Sequence, residues 1–333
     1  IVTAHMLVSA KDVARAAIIF LLAAGVQAAM TFFSLAFHLS AFRVIAPFVQ
    51  GDDFNVIGTI NGAMLLYSTG IIMAMGFILA QAFHQLRAWI RWALYAAIVF
   101  FAANLLIVHF RTAWILLFVG SLFLSGFMFW MQRNRDNTEP ADGAAFGVAK
   151  GGLGWRYALS LIVLACSLVM LMVPGPIVGK ISLPAEVSPS AMTTLHIARS
   201  VYREGTVATL FGSGPATFDR DWMRYKDAAI NATPFWGTQF NQGYSLITTL
   251  AGTTGIVGVV LFLLFVLGFL VVALRALLAA RQDDAGFLAG VFLGLVSMVC
   301  IAALYPANLA FILLLFFFAG LLMTGLGNSD EYE

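Results

Sequence analysis

The residues best suited to chemistry in this sequence are arginines at the edges of apolar runs. Arg111 stands in His109-Phe110-Arg111-Thr112-Ala113-Trp114, between two long apolar runs joined by almost no loop. A guanidinium held there either anchors a helix end by reaching lipid headgroups or forks onto the paired oxygens of a diphosphate. Arg199 and Arg203 lie four apart in SAMTTLHIARSVYREGTVATL, whose apolar residues recur at helical spacing. That spacing predicts a helix with both arginines on one face, lying at the outer membrane surface. Phe211-Gly212-Ser213-Gly214-Pro215-Ala216-Thr217-Phe218 specifies a tight turn. It reads either as a turn anchored by its two Phe or as a contact for phosphate; Gly-x-Gly alone is neither a P-loop nor a dinucleotide fingerprint. Arg43, followed by Asp52, Asp53 and Asn55, offers paired carboxylates for a cation or a base, or a solvated loop capping the next helix. In Gly243 to Gly258, glycines and Thr248, Thr249, Thr253 and Thr254 allow close helix contact or a break in the helix. The five His are scattered without metal-ligand spacing, and Cys166 and Cys300 read as two separate buried thiols.

These residues must be positioned by membrane helices. Of the 333 residues, 61% are apolar and only 10% are charged, and mean hydropathy is +0.93. A soluble domain carries about a quarter charged residues and could not build its surface from so few. Soluble enzyme, disordered protein, collagen and disulfide scaffold are excluded, which leaves an all-α polytopic membrane protein. The net charge of +2 does not point to nucleic acid.

Eight apolar runs are each near the length a bilayer requires: 15–37, 56–83, 89–108, 112–131, 155–177, 250–274, 284–304 and 307–327. Residues 1–177 form N-terminal membrane helices, with a polar, Gly-rich linker at 132–154; residues 178–245 form one large loop; residues 246–333 form C-terminal membrane helices. Ile1 to Ser9 resemble the tail of a further span, so the chain is expected to be N-terminally truncated. Alternating the loops puts Lys11, Arg15, Arg87, Arg91, Arg133 and Arg135, among others, on one side. Short basic loops stay cytoplasmic, so the linker is cytoplasmic and the large loop is extracytoplasmic. That loop is too long for a simple connection and too rich in aromatics for disorder.

Taken in order, four segments resemble those of the bacterial O-antigen ligase/polymerase family, membrane glycosyltransferases of the glycosyltransferase-C type. Phe54-Asn55-Val56-Ile57-Gly58-Thr59-Ile60-Asn61 is similar to the family's Asn-x-x-Gly segment entering a span. Phe110-Arg111-Thr112-Ala113-Trp114 resembles its Ser-Arg-Gly-Ala segment, with Phe110 where Ser is usual. Leu210 to Phe218 is similar to its Gly-x-Gly-x-x-x-Phe turn in the large periplasmic loop, and Thr248 to Gly258 resembles the helix that follows. The likeness covers about residues 15–275. One departure stands out: the family's His-Asn pair falls on Tyr244 and Ser245.

The resemblance implies transfer of a glycan from an undecaprenyl-diphosphate-linked donor to a glycan, lipid or protein acceptor, at the outer face of the bacterial cytoplasmic membrane. The lipid diphosphate is already a good leaving group, so the site must stabilise negative charge and align the acceptor hydroxyl, without a metal or other cofactor. Arg111 with Arg199 or Arg203 would hold the diphosphate, with Arg43 a lesser candidate. Gly212 and Gly214 would contact substrate, Ser245 takes a position of the missing pair, and Trp222, Trp236 and Tyr244 would stack on sugars or shape the groove. The base is open: Tyr244 has a reference pKa near 10, and Asp219 and Asp221 are the alternatives. A transporter or lipid flippase, or a non-catalytic relative, are the competing readings.

Overall fold

The computed structural model describes residues 10–37, 54–80, 86–138, 154–175, 186–279 and 282–327. Every regular element among them is helical. In chain order these are α1 (Ala10–Phe37), α2 (Ile60–Leu79), α3 (Ala88–Val108), α4 (Arg111–Thr138), α5 (Gly154–Met172), α6 (Ala191–Tyr202), α7 (Thr206–Phe211) and α8 (Phe218–Tyr225). A 3-10 turn at Ala228–Ala232 follows, then α9 (Leu246–Thr253), α10 (Gly255–Ala279), α11 (Gln282–Leu304) and α12 (Leu309–Gly327). Six of them, α1 to α4, α10 and α11, are long and apolar enough to cross a membrane. The expected spans 155–177 and 307–327 are found as shorter apolar helices, Ala158–Met172 and Leu309–Met323. The chain is a multi-pass helical membrane protein.

Two compact units divide the chain. The first comprises 1–184, 273–297 and 316–333, the second 185–272 and 298–315. In the first, α2 is wholly buried from Gly62 to Leu79. It packs on α3 and α4, while α1 packs on α3 and α4 on α5. Small residues let α2 meet α11: a Cβ on Gly76 would lie 2.5 Å from Gly290 Cα and 2.7 Å from Gly286 O. Without a hydrophobic drive between helices in lipid, such close backbone approach supplies the packing energy. Phe77 meets Phe287 edge-on at 4.6 Å beside this contact. Polar groups in the bundle bond across helices. Thr31 Oγ1 and Tyr67 OH are 2.9 Å apart, and Asn104 Nδ2 donates to Ala28 O at 2.8 Å.

Helix starts follow their capping residues. Asn55 Oδ1 accepts from Ile57 N and Gly58 N, and Thr59 Oγ1 accepts from Gly62 N at the head of α2. The Asn-x-x-Gly segment thus folds the chain into its span. Between α3 and α4 only two residues intervene, with His109 in the left-handed conformation at φ 52°.

In the second unit, Ile197 of α6 and Phe218 and Trp222 of α8 form the centre of a small core, with Tyr225, Ile230 and Phe240 around it. The large loop is therefore a folded body, as its aromatic content implies. Two details differ from expectation. The stretch 190–210 is two helices, not one: α6 ends where Arg203 caps it, and α7 begins after Gly205. The apolar face of α6 packs on α9 and α8, since Thr194, Ile197, Ala198 and Val201 are buried there. The linker expected at 132–154 is helical as far as Thr138, because α4 runs past the apolar limit at Met131. Residues 139–153, like 1–9, lie outside the described residues.

Candidate functional site

The second unit is held together by a helix break that the Gly turn fills. α9 ends at Thr253, and α10 starts at Gly255 with φ +66°. This break frees carbonyls at the end of α9. The turn supplies their donors: Ser213 N bonds Gly252 O at 3.1 Å and Gly214 N bonds Thr253 O at 2.9 Å. Such an approach requires glycine on both sides. A Cβ on Gly212 (φ +70°) would lie 2.5 Å from Gly252 O, and one on Gly255 would lie 2.5 Å from Leu210 O. Of the alternatives open in the sequence at 243–258, both hold: the helix breaks, and it breaks at a close contact. The Gly212–Gly214 amides are consumed inside the fold, with Gly212 N bonded to Ala208 O at 2.8 Å, so they form no phosphate cradle. The turn is anchored by one Phe rather than two. Phe218 is buried, whereas Phe211 is 58% exposed.

A side-chain network closes the turn. Ser213 Oγ donates to Asp221 Oδ2 and lies 2.7 Å from Thr217 Oγ1, which in turn donates to Gly214 O at 2.6 Å. Asp221 is buried, and its burial pushes the carboxyl above the usual carboxylate range, against the Ser213 bond and the nearby Arg220 and Arg224. Asp219 is placed otherwise: it is exposed in the first turn of α8 and accepts from Arg220 N.

Other expected site residues take structural posts. Ser245 is buried and caps α9 reciprocally with Thr248, accepting from Thr248 N while its own N–H donates to Thr248 Oγ1. Trp222 is only 2% exposed; its Nε1 donates to Thr238 O and its ring meets Phe240 edge-on at 4.8 Å. It has no open face for a sugar, because the aromatic surface that would stack on one fills the core instead. Trp236 is exposed, and Lys226 Nζ bonds its carbonyl. Tyr244 is half-buried, fixed through its N–H to Thr194 Oγ1 at 3.0 Å.

What remains open is one strip of α6. Met192, His196, Arg199 and Arg203 are all exposed, at spacings that align them along the helix. Neither Arg199 nor Arg203 makes an ion pair among the described residues, whereas the neighbouring Arg224 is paired to Glu204 at 2.6 Å. Glu204 also accepts from Tyr225 OH, which raises the phenol above its usual value. Sequence reading counts His196 among scattered histidines; the helical register beside Arg199 is the signal that singles it out. The strip presents two guanidinium groups that can bind a multivalent anion, with an imidazole beside them.

In the first unit, Arg111 opens α4 with its side chain exposed. His109 Nε2 lies 3.1 Å from Met170 O and fixes the corner to α5. Trp114 Nε1, one turn into α4, is buried and lacks a hydrogen-bond partner among the described residues. Arg43 and Asp52–Asp53 lie outside the described residues. No group of three His, Cys, Asp or Glu that would hold a metal occurs among those described. No protein-family model matches this chain, and no curated protein matches it either.

Proposed function

We propose that the chain transfers a glycan from an undecaprenyl-diphosphate-linked donor to an acceptor hydroxyl at the membrane surface, the activity its likeness to the O-antigen ligase/polymerase family implies. The observation that carries this reading is the open strip of α6, where Arg199 and Arg203, without an ion pair among the described residues, stand exposed beside His196. In the reaction the acceptor oxygen forms a bond to the anomeric carbon, and the bond from that carbon to the carrier diphosphate breaks. The electron pair leaves with the diphosphate, and the acceptor proton passes to a base. Guanidinium groups stabilise the departing charge without a metal. Among the groups on the strip, the His196 imidazole is the one with a ring nitrogen able to accept that proton. Arg111 is the further candidate for the diphosphate, at the head of its own helix.

Binding of undecaprenyl diphosphate to the purified chain in nanodiscs tests the reading. Arg199→Ala and Arg203→Ala are each expected to weaken binding about tenfold to a hundredfold, the loss of a charge-assisted contact of about 1.5–3 kcal/mol. Wild-type affinity in both variants and in Arg111→Ala would overturn it. A flippase would instead move the lipid across vesicle membranes, which the same preparation can measure. Against that reading, no Asp, Glu, Lys or Arg among the described residues is buried within the spans, where transport pathways place them.

A further inference from the structure

α7 is an anomaly in the second unit, because none of its residues is buried. Val207, Leu210 and Phe211 fall at i, i+3 and i+4, on one face. They are 74%, 39% and 58% exposed. The helix is nonetheless held firmly. Leu210 O and Gly212 N lie against Gly255, and the next two amides bond the end of α9. A folded body that fixes three large apolar side chains outward has a partner for them.

The position of α7 identifies that partner. Gly255 is the first residue of α10, and α10 is the most apolar and least buried of the six spans, with only 11% of its apolar window covered. Ile256, Val260, Leu261 and Leu264 are exposed along its first turns. The C-terminal end of α7 therefore lies against the first residue of the least buried span. Arg203, exposed just before α7, stands where a guanidinium can reach headgroup phosphates. We propose that α7 is an interfacial wedge whose Val207, Leu210 and Phe211 are buried at the headgroup–acyl boundary of the bilayer, fixing the α6 strip at the height of lipid headgroups. The inference rests on the chain's being a membrane protein and not on glycan transfer.

Site-directed spin labelling tests it in nanodiscs of phosphatidylglycerol and phosphatidylcholine. Single cysteines are placed by Val207→Cys and by Phe211→Cys, with both native cysteines replaced by alanine. Leu264→Cys on the exposed side of α10 gives the lipid reference, and Asn231→Cys on the exposed 3-10 turn gives the aqueous one. The expected result is an oxygen-to-nickel-chelate accessibility ratio several-fold above the Asn231 label at both α7 positions, approaching that at Leu264. A ratio equal to that at Asn231 would place α7 in water and overturn the proposal. Exclusion of both oxygen and nickel would mean that protein, such as a second copy of the chain, covers the face, and would overturn it equally. Val207, the most exposed of the three, keeps the test open if the Phe211 variant fails to fold. Undecaprenyl diphosphate binding measured on the same samples separates failure here from failure of the glycan-transfer reading.

Discussion

At the residue scale, the second unit distinguishes side chains that hold the fold from side chains left open. Ser245 belongs to the first kind. Ser245→Ala is expected to cost about 1 kcal/mol of stability, the usual loss of an N-cap, read as a lower Tm in detergent, while Ser245→Thr restores it. A catalytic Ser245 would instead lose turnover at unchanged Tm. Asp221 gives a pH signature. Its folded carboxyl binds a proton more tightly than in the unfolded chain, so its contribution to stability is complete below the usual 3.8 and is lost as pH rises through the raised folded value. Melting curves across that range should show a downward slope in wild type that is smaller in Asp221→Asn. Equal slopes would show that Asp221 titrates as an ordinary carboxylate. The sequence alone picks out both aspartates after the turn but cannot rank them. They are two apart on α8, so one faces the core and one faces out, and only the packing of Phe218 and Trp222 decides which. Trp222 and Trp236 likewise read as equals in the sequence. One became the centre of a core and the other stayed exposed.

At the element scale, the junction of turn, α9 and α10 concentrates the backbone constraints of the second unit. Gly255→Ala and Gly212→Ala each combine a positive φ with contact to backbone atoms that have no room to give. Each is expected to destabilise by about 2–4 kcal/mol, from left-handed strain plus overpacking. Limited proteolysis should then cut within 186–245 at protease levels that leave the wild type intact; unchanged resistance would show that the junction is not what holds this body. Helix positions were largely legible because apolar run length and capping residues are local signals. α3 and α11 begin within two residues of their expected starts. The break at Thr254 was legible only as an option, since Thr and Gly at 248–258 suit a tight crossing equally well. The hydrogen bonds that resolve it come from 213 and 214, far away in sequence.

At the scale of the whole molecule, the basic short loops predict that 186–245 lies outside the cytoplasmic membrane. A membrane-impermeant maleimide should therefore label Asn231→Cys in intact cells; labelling only after lysis would reverse the topology. The sequence shows which segments span but not what each span faces. A partial signal was present: the fully buried α2 is the least apolar of the six spans, and the largely exposed α10 is the most. A helix surrounded by protein can carry Tyr67, whose OH lies 2.9 Å from Thr31 Oγ1 of α1. The central place of α2 also has a consequence for biosynthesis. The ribosome delivers α2 before α11, and the glycine surface that receives Gly76 does not exist until Gly290 has been made. In the interval the small-residue face of α2 lacks its packing partner. Chains that stop short of α11 should never mature, and membrane proteases should clear them while the full-length protein persists.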